Sequence, residues 1–134
     1  MKDCIFCKIV KGEVPSEKVY EDKDFIAIMD TKPLTKGNSL IIPKKHYRWV
    51  CDVPNFGDYF EVAKEVGLAT QKAFGAEWIC FLTLGWEVPH AHIRVIPRYK
   101  TDPHDVVVDI NRYEEPSQKE LSQTAKEITK HIHF

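Results

Sequence analysis

A chain of 134 residues, 43% hydrophobic and 29% charged, is long enough for one buried core and too short for a second, so residues 1–134 are expected to form one domain. Its formal net charge of −1 provides no basic field to attract nucleic acid, and no run approaches the ~18 apolar residues of a membrane span. No secretory pattern opens the chain, so a cytoplasmic protein is expected, with its four cysteines reduced.

Taken in chain order, Cys4-Ile5-Phe6-Cys7 comes first and places two sulfurs on one tight turn, with Lys8 to Pro15 following as a short helix or turn. Two thiolates are half of a tetrahedral zinc set, and His46 and His90 are candidates for the other half. A redox pair and simple burial are the rival readings of a lone CxxC. Glu17 to Asp30 reads as a hairpin: a strand at Lys18-Val19-Tyr20, a polar turn at Glu21-Asp22-Lys23-Asp24, and a second strand at Phe25-Ile26-Ala27-Ile28-Met29. A loop from Pro33 to Asn38 leads to a strand at Ser39-Leu40-Ile41-Ile42-Pro43. Cys51 and Cys80 read as small core residues, and Trp49 as either a core edge or a subunit contact.

The stretch from about Pro54 to Phe74 carries Phe56, Tyr59, Ala63, Val66, Ala69 and Ala73 at helical spacing, and Gly75 supplies the stop. Strands at Trp78–Leu84 and Pro89–Pro97 follow. A helix over about 117–131 closes the chain, with Ser117 and Glu120 as a capping box and Leu121, Ala125, Ile128 and Ile132 as its apolar stripe. Strands, helix, strands and helix joined by short links favour an antiparallel α+β domain.

The chemistry concentrates in Pro89-His90-Ala91-His92-Ile93-Arg94-Val95-Ile96-Pro97-Arg98. Alternation at period two puts His90, His92 and Arg94 on one open sheet face and Ala91, Ile93 and Val95 in the core. Two imidazoles and a guanidinium would repel if all were charged, which points to neutral histidines beside an anion or a metal. An exposed strand that happens to be basic is the competing reading.

With the other landmarks in place, the chain resembles the histidine triad (HIT) family, and within it the Hint-like nucleotide hydrolases. The resemblance runs through Cys4–Val10, Val14-Pro15-Ser16, Val19–Asp22, Asp30-Thr31-Lys32-Pro33, Leu40–Tyr47 and Val88–Arg98, in family order over residues 4–98. It implies an antiparallel five-stranded meander with two main helices, two copies joining as a homodimer, and a purine nucleotide as substrate. It assigns the nucleophile that attacks an α-phosphate to His92. Phe6, Ile9, Val14, Ile28 and Asp30 become the nucleoside site, apolar groups around the base and the carboxylate toward ribose hydroxyls. It assigns a structural zinc to Cys4, Cys7, His46 and His90, the same four residues singled out by ligand chemistry.

Two departures fall at the reaction centre. Arg94 stands at the third histidine position of the triad; a guanidinium stabilises phosphate charge but carries no proton to a leaving group at neutral pH. The loop Thr83-Leu84-Gly85-Trp86-Glu87-Val88-Pro89 is short, with Trp86 where the family has glutamine and Glu87 placed to oppose a phosphate. Two classes of function remain. One is an enzyme working through a covalent nucleotidyl-histidine on phosphoramidates, phosphoesters or dinucleoside polyphosphates, whether hydrolase or nucleotidyltransferase. The other is a catalytically weak zinc-containing nucleotide-binding module. Retention of His92 favours the enzyme.

Overall fold

The computed structural model describes residues 3–133. Its elements are α1 (Ile5–Val10), β1 (Lys18–Glu21), β2 (Phe25–Met29), β3 (Ser39–Pro43), α2 (Phe56–Phe74), β4 (Trp78–Leu82), β5 (Ile93–Arg98) and α3 (Gln118–Thr129), with one 3₁₀ turn at Val50–Asp52. All neighbouring strands are antiparallel, in the order β1-β2-β3-β5-β4. This is the α+β architecture expected from the sequence, with one refinement of the meander. Because β5 lies antiparallel to both β3 and β4, those two strands point the same way, and a hairpin cannot join them. The 19-residue α2 makes the crossover, and β5, which the segment carrying His90 and His92 leads into, is thereby drawn into the sheet interior.

Both faces of the sheet are covered. Ala27, Ile41, Ile93 and Val95 pack with Tyr59 and Val66 of α2 and Ile128 of α3, while Ile26, Ile28, Leu40 and Ile42 pack with Cys4 and Phe6. This double burial is why Phe25–Met29 and Ser39–Pro43 read as nearly unbroken apolar runs: every position is buried. Gly75 closes α2 at φ 69°, a left-handed cap that costs a glycine little. The Ser117–Glu120 capping box opens α3 in both directions, Glu120 N donating to Ser117 Oγ at 3.1 Å and Ser117 N to Glu120 Oε1 at 3.0 Å. No described helix is long and apolar enough to cross a membrane.

Five expectations need correction. The CxxC pair belongs to a helix, Cys4 capping α1 and Cys7 lying in its first turn. Strand β5 starts at Ile93, because Pro89 lacks an N–H and Ala91 N donates to Tyr47 O at 2.7 Å, outside the ladder. Strand β4 stops at Leu82, which faces Arg94, so Thr83 and Leu84 have no partner strand. Phe56 of the helical stripe is 42% exposed, lying against Phe60 in the opening turn of α2. Cys51 is exposed and Cys80 half-buried, since one lies on the surface 3₁₀ turn and the other on the edge strand.

Beyond β5 the chain is held by an ion pair. The side chains of Arg98 and Asp102 are each 4% exposed, with Arg98 Nε 3.0 Å from Asp102 Oδ2. The same guanidinium donates to the carbonyls of His104 and Val106, each at 3.2 Å. Burial alone would raise the Asp102 carboxyl, but the Arg98 guanidinium and the amides of Tyr99 and His104 hold it below its ordinary value. A depressed acid stabilises the fold above its unfolded pKa of about 4, and that contribution fades as the pH falls through the folded value. Arg98→Ala is therefore expected to lose about 3–5 kcal/mol at pH 7, by stranding a buried carboxylate. Denaturant titrations of variant and wild type should show that gap narrowing below about pH 4; a constant gap would mean that lost packing, not the charge pair, is responsible.

Candidate active site and metal centre

Three stretches distant in sequence converge beside α1, bringing Cys4 and Cys7 to His46 and His90. Cys4 Sγ lies 3.3 Å from His90 Nδ1, Cys7 Sγ 3.3 Å from His46 Nδ1 and 3.5 Å from His90 Nδ1. The four ligand atoms all lie within 4.8 Å of one another. A tetrahedral zinc with ordinary Zn–S and Zn–N bonds sets sulfur–nitrogen edges of about 3.6 Å, so the spacing fits. The second ring nitrogen of His90 donates to Pro43 O at 2.8 Å, which leaves the Nδ1 lone pair facing the sulfurs. Burial, then hydrogen bonding from Cys4, pushes the Cys7 thiol up, so a cation is what would hold that sulfur as a thiolate. The donor set suits a soft, borderline divalent metal.

Alongside, a cavity of about 630 Å³ runs under α1. It is lined by Phe6, Ile9, Val14, Ile28 and Asp30 together with His92 and Arg94, bringing the expected nucleoside residues and the reaction-centre residues into one space. Contrary to the expectation of an open face, His92 is 5% exposed and His90 fully buried, because Phe6 packs its ring edge to both imidazoles at centroid distances of 5.1 and 5.8 Å. His92 Nδ1 donates to His90 O at 2.9 Å; a carbonyl only accepts, so Nε2 keeps its lone pair. Burial lowers the His92 pKa; the bond to His90 O opposes that, and the Arg94 charge adds to it, favouring the neutral ring a nucleophile requires.

Arg94 also lines the cavity, and its Nε is buried without a hydrogen-bond partner, a charged donor awaiting an anion. One carboxylate oxygen of Asp30 accepts from Lys32 N at 2.9 Å, in a turn that follows β2 and presents the group to the cavity. Burial pushes the Asp30 carboxyl up, and the Lys32 amide and the Arg94 charge pull it back.

The two residues singled out in the loop over Thr83–Pro89 part company. Trp86, at 82% exposed, points to solvent and leaves the cavity unobstructed. Glu87 does line the cavity, and its negative charge raises the His92 pKa. Gly85 turns the loop at φ 65°, and its carbonyl accepts from Arg48 at 2.7 Å, whose guanidinium lies 3.7 Å over the Trp49 ring. Trp49, 41% exposed, is thus a loop anchor.

Sequence reasoning missed a whole wall. Ile110, Asn111 and Tyr113 border the cavity beside Gln118 and Leu121 of α3, and nothing in the irregular run of residues 99–116 announces the first three.

Comparison with known proteins agrees with this arrangement. The HIT domain model matches residues 11–101. An adenylylsulfatase from Arabidopsis thaliana is 35% identical over 137 residues, spanning 97% of this chain and 70% of that protein. An adenosine 5′-monophosphoramidase from Saccharomyces cerevisiae is 35% identical over 100 residues, spanning 71% of this chain and 62% of that protein. The crystal structure of a zinc-bound histidine triad family protein from Mycobacterium smegmatis superposes with a TM-score of 0.80 at 25% identity, covering 98% of this chain and 94% of that one. A domain match over most of the chain, relatives of this similarity and a shared fold lead to one conclusion: the chain belongs to the HIT family.

Proposed function

We propose that this chain, acting as one domain, is a nucleotide hydrolase that works at the α-phosphate of nucleotidyl substrates through a covalent nucleotidyl-histidine on His92. The observation that carries the reading is the pairing of a neutral, oriented His92 with the unpartnered Arg94 Nε in one cavity. The names of the relatives, one cleaving an adenylyl sulfate and one an adenosine phosphoramidate, support the same class of substrate. His92 Nε2 attacks the α-phosphorus, the bond from phosphorus to the leaving group breaks, and water then displaces nitrogen to release the nucleoside monophosphate. Arg94 neutralises charge on the non-bridging oxygens throughout. Its proton stays in place, so the leaving group departs as an anion or takes its proton from water.

Cys4, Cys7, His46 and His90 hold a structural zinc in this reading. With four protein ligands zinc would tie α1 to the segment that carries His92 and would supply no water for chemistry. A second copy of the chain covers β4, an unpaired edge on which Trp78 is 50% and Phe81 42% exposed. The alternative of a weakly active binding module is favoured by one observation, the Glu87 carboxylate bordering the phosphate end of the cavity.

Asp30 provides the binding test. Calorimetric titration with AMP should show Asp30→Ala weakened by roughly 1–3 kcal/mol, the loss of hydrogen bonds from the ribose hydroxyls to a charged acceptor. Wild-type protein that bound 2′,3′-dideoxy-AMP as tightly as AMP would remove Asp30 from the nucleoside site.

A further inference from the structure

The HIT domain model matches residues 11–101, yet the cavity has a wall drawn from beyond that match. That wall is fastened at several points. His104 Nε2 donates to Leu34 O at 2.9 Å, and Asp109 N donates to His104 Nδ1 at 3.1 Å. Glu114 N donates to Pro33 O at 2.9 Å, and Gln118 Nε2 to Glu17 Oε1 at 3.3 Å. Between these anchors Asn111 N is turned onto Asp109 Oδ1 at 3.0 Å, and the Tyr113 ring lies under Lys32 Nζ at 5.3 Å from its centroid. The segment is thus a strap held against the loop that follows β2, the loop that carries Asp30 into the cavity.

We propose that this strap is the base-selecting wall of the cavity, with Ile110 and Tyr113 flanking the base and the Asn111 carboxamide reading the edge of adenine. The proposal rests on the nucleotide reading above and names a recognition element beyond the residues that the HIT domain model matches. Ile28 and Phe6 supply apolar surface that any base accepts, so they cannot discriminate among bases. A carboxamide offers one donor and one acceptor side by side, the complement of adenine N7 and N6–H₂; guanine presents two acceptors there and satisfies only half of it.

The test is calorimetric titration of wild type, Asn111→Ala, Arg112→Ala and Asp30→Ala with AMP and GMP, alongside thermal melts. Wild type is expected to prefer AMP over GMP by about tenfold, in the range of one bidentate amide–adenine pair. Asn111→Ala should bring that ratio to within about twofold at an unchanged melting temperature, mainly by losing AMP affinity, while Arg112→Ala on the same strap keeps the wild-type ratio. If wild type binds AMP and Asp30→Ala weakens it, but Asn111→Ala retains the wild-type ratio, the strap assignment is overturned and the nucleotide reading stands. If wild type binds neither nucleotide, both fall together.

Discussion

Cys7→Ser is expected to emerge without zinc and to unfold at a markedly lower denaturant concentration than wild type. Cys7 touches both imidazoles of the metal centre, 3.3 Å from His46 and 3.5 Å from His90, so its loss opens two of the contacts that close the site. A metal that binds only the folded chain adds its binding free energy to folding. The loss should be several kcal/mol, below the ~10–16 kcal/mol that structural zinc provides to peptides lacking a core, since this chain keeps an extensive one. Elemental analysis of the purified protein and chelator-dependent unfolding curves make the comparison. Native wild type that carries no metal and is indifferent to chelator would rule the centre out. The effect should also reach the reaction, because His90 belongs to the group able to hold the metal and accepts, through its carbonyl, the His92 Nδ1 proton in a hydrogen bond.

His92→Ala should abolish adduct formation and reduce turnover on the order of 10⁶-fold, the scale seen when an enzyme loses its nucleophile, while AMP binding persists. Quenched reactions with a nucleotidyl substrate carrying a labelled α-phosphate, analysed by mass spectrometry, locate the adduct. Arg94 should govern which substrates react. Its guanidinium cannot protonate a leaving group, so polyphosphates and activated esters should turn over far faster than alkyl phosphoramidates. Arg94→Gln should cost about 10²–10³ in kcat on good leaving groups through lost charge stabilisation, whereas Arg94→His should recover activity toward poor ones. Wild-type protein that forms no adduct and turns over no nucleotidyl substrate, yet binds AMP, would leave the binding module as the function.

What the sequence determined by itself was local. Periods of 2 and 3.6 placed strands and helices within a few residues, because side-chain direction repeats with backbone geometry and burial follows it. Ser117 and Glu120 announced the start of α3 and Gly75 the end of α2, since capping is a contact between residues three or fewer apart or a property of one backbone angle. Matched motifs also placed Cys4, Cys7, His46 and His90 in one set, and the ligand atoms do converge. What only the tertiary structure decided was how non-neighbouring segments meet. Alternation around His92 described its face correctly but not its cover: Phe6, 86 positions earlier, buries it, and no periodicity within a strand reports that. Trp86 stands where the family has glutamine, yet it turns to solvent beside a loop held by the Gly85 turn and the Arg48 bond. Most of all, residues 99–116 carry no regular pattern, and their place along the cavity is set by hydrogen bonds to Leu34, Pro33 and the buried Arg98–Asp102 pair. Such contacts depend on which backbone groups the finished sheet leaves exposed, a property of the assembled fold and not of any stretch of chain.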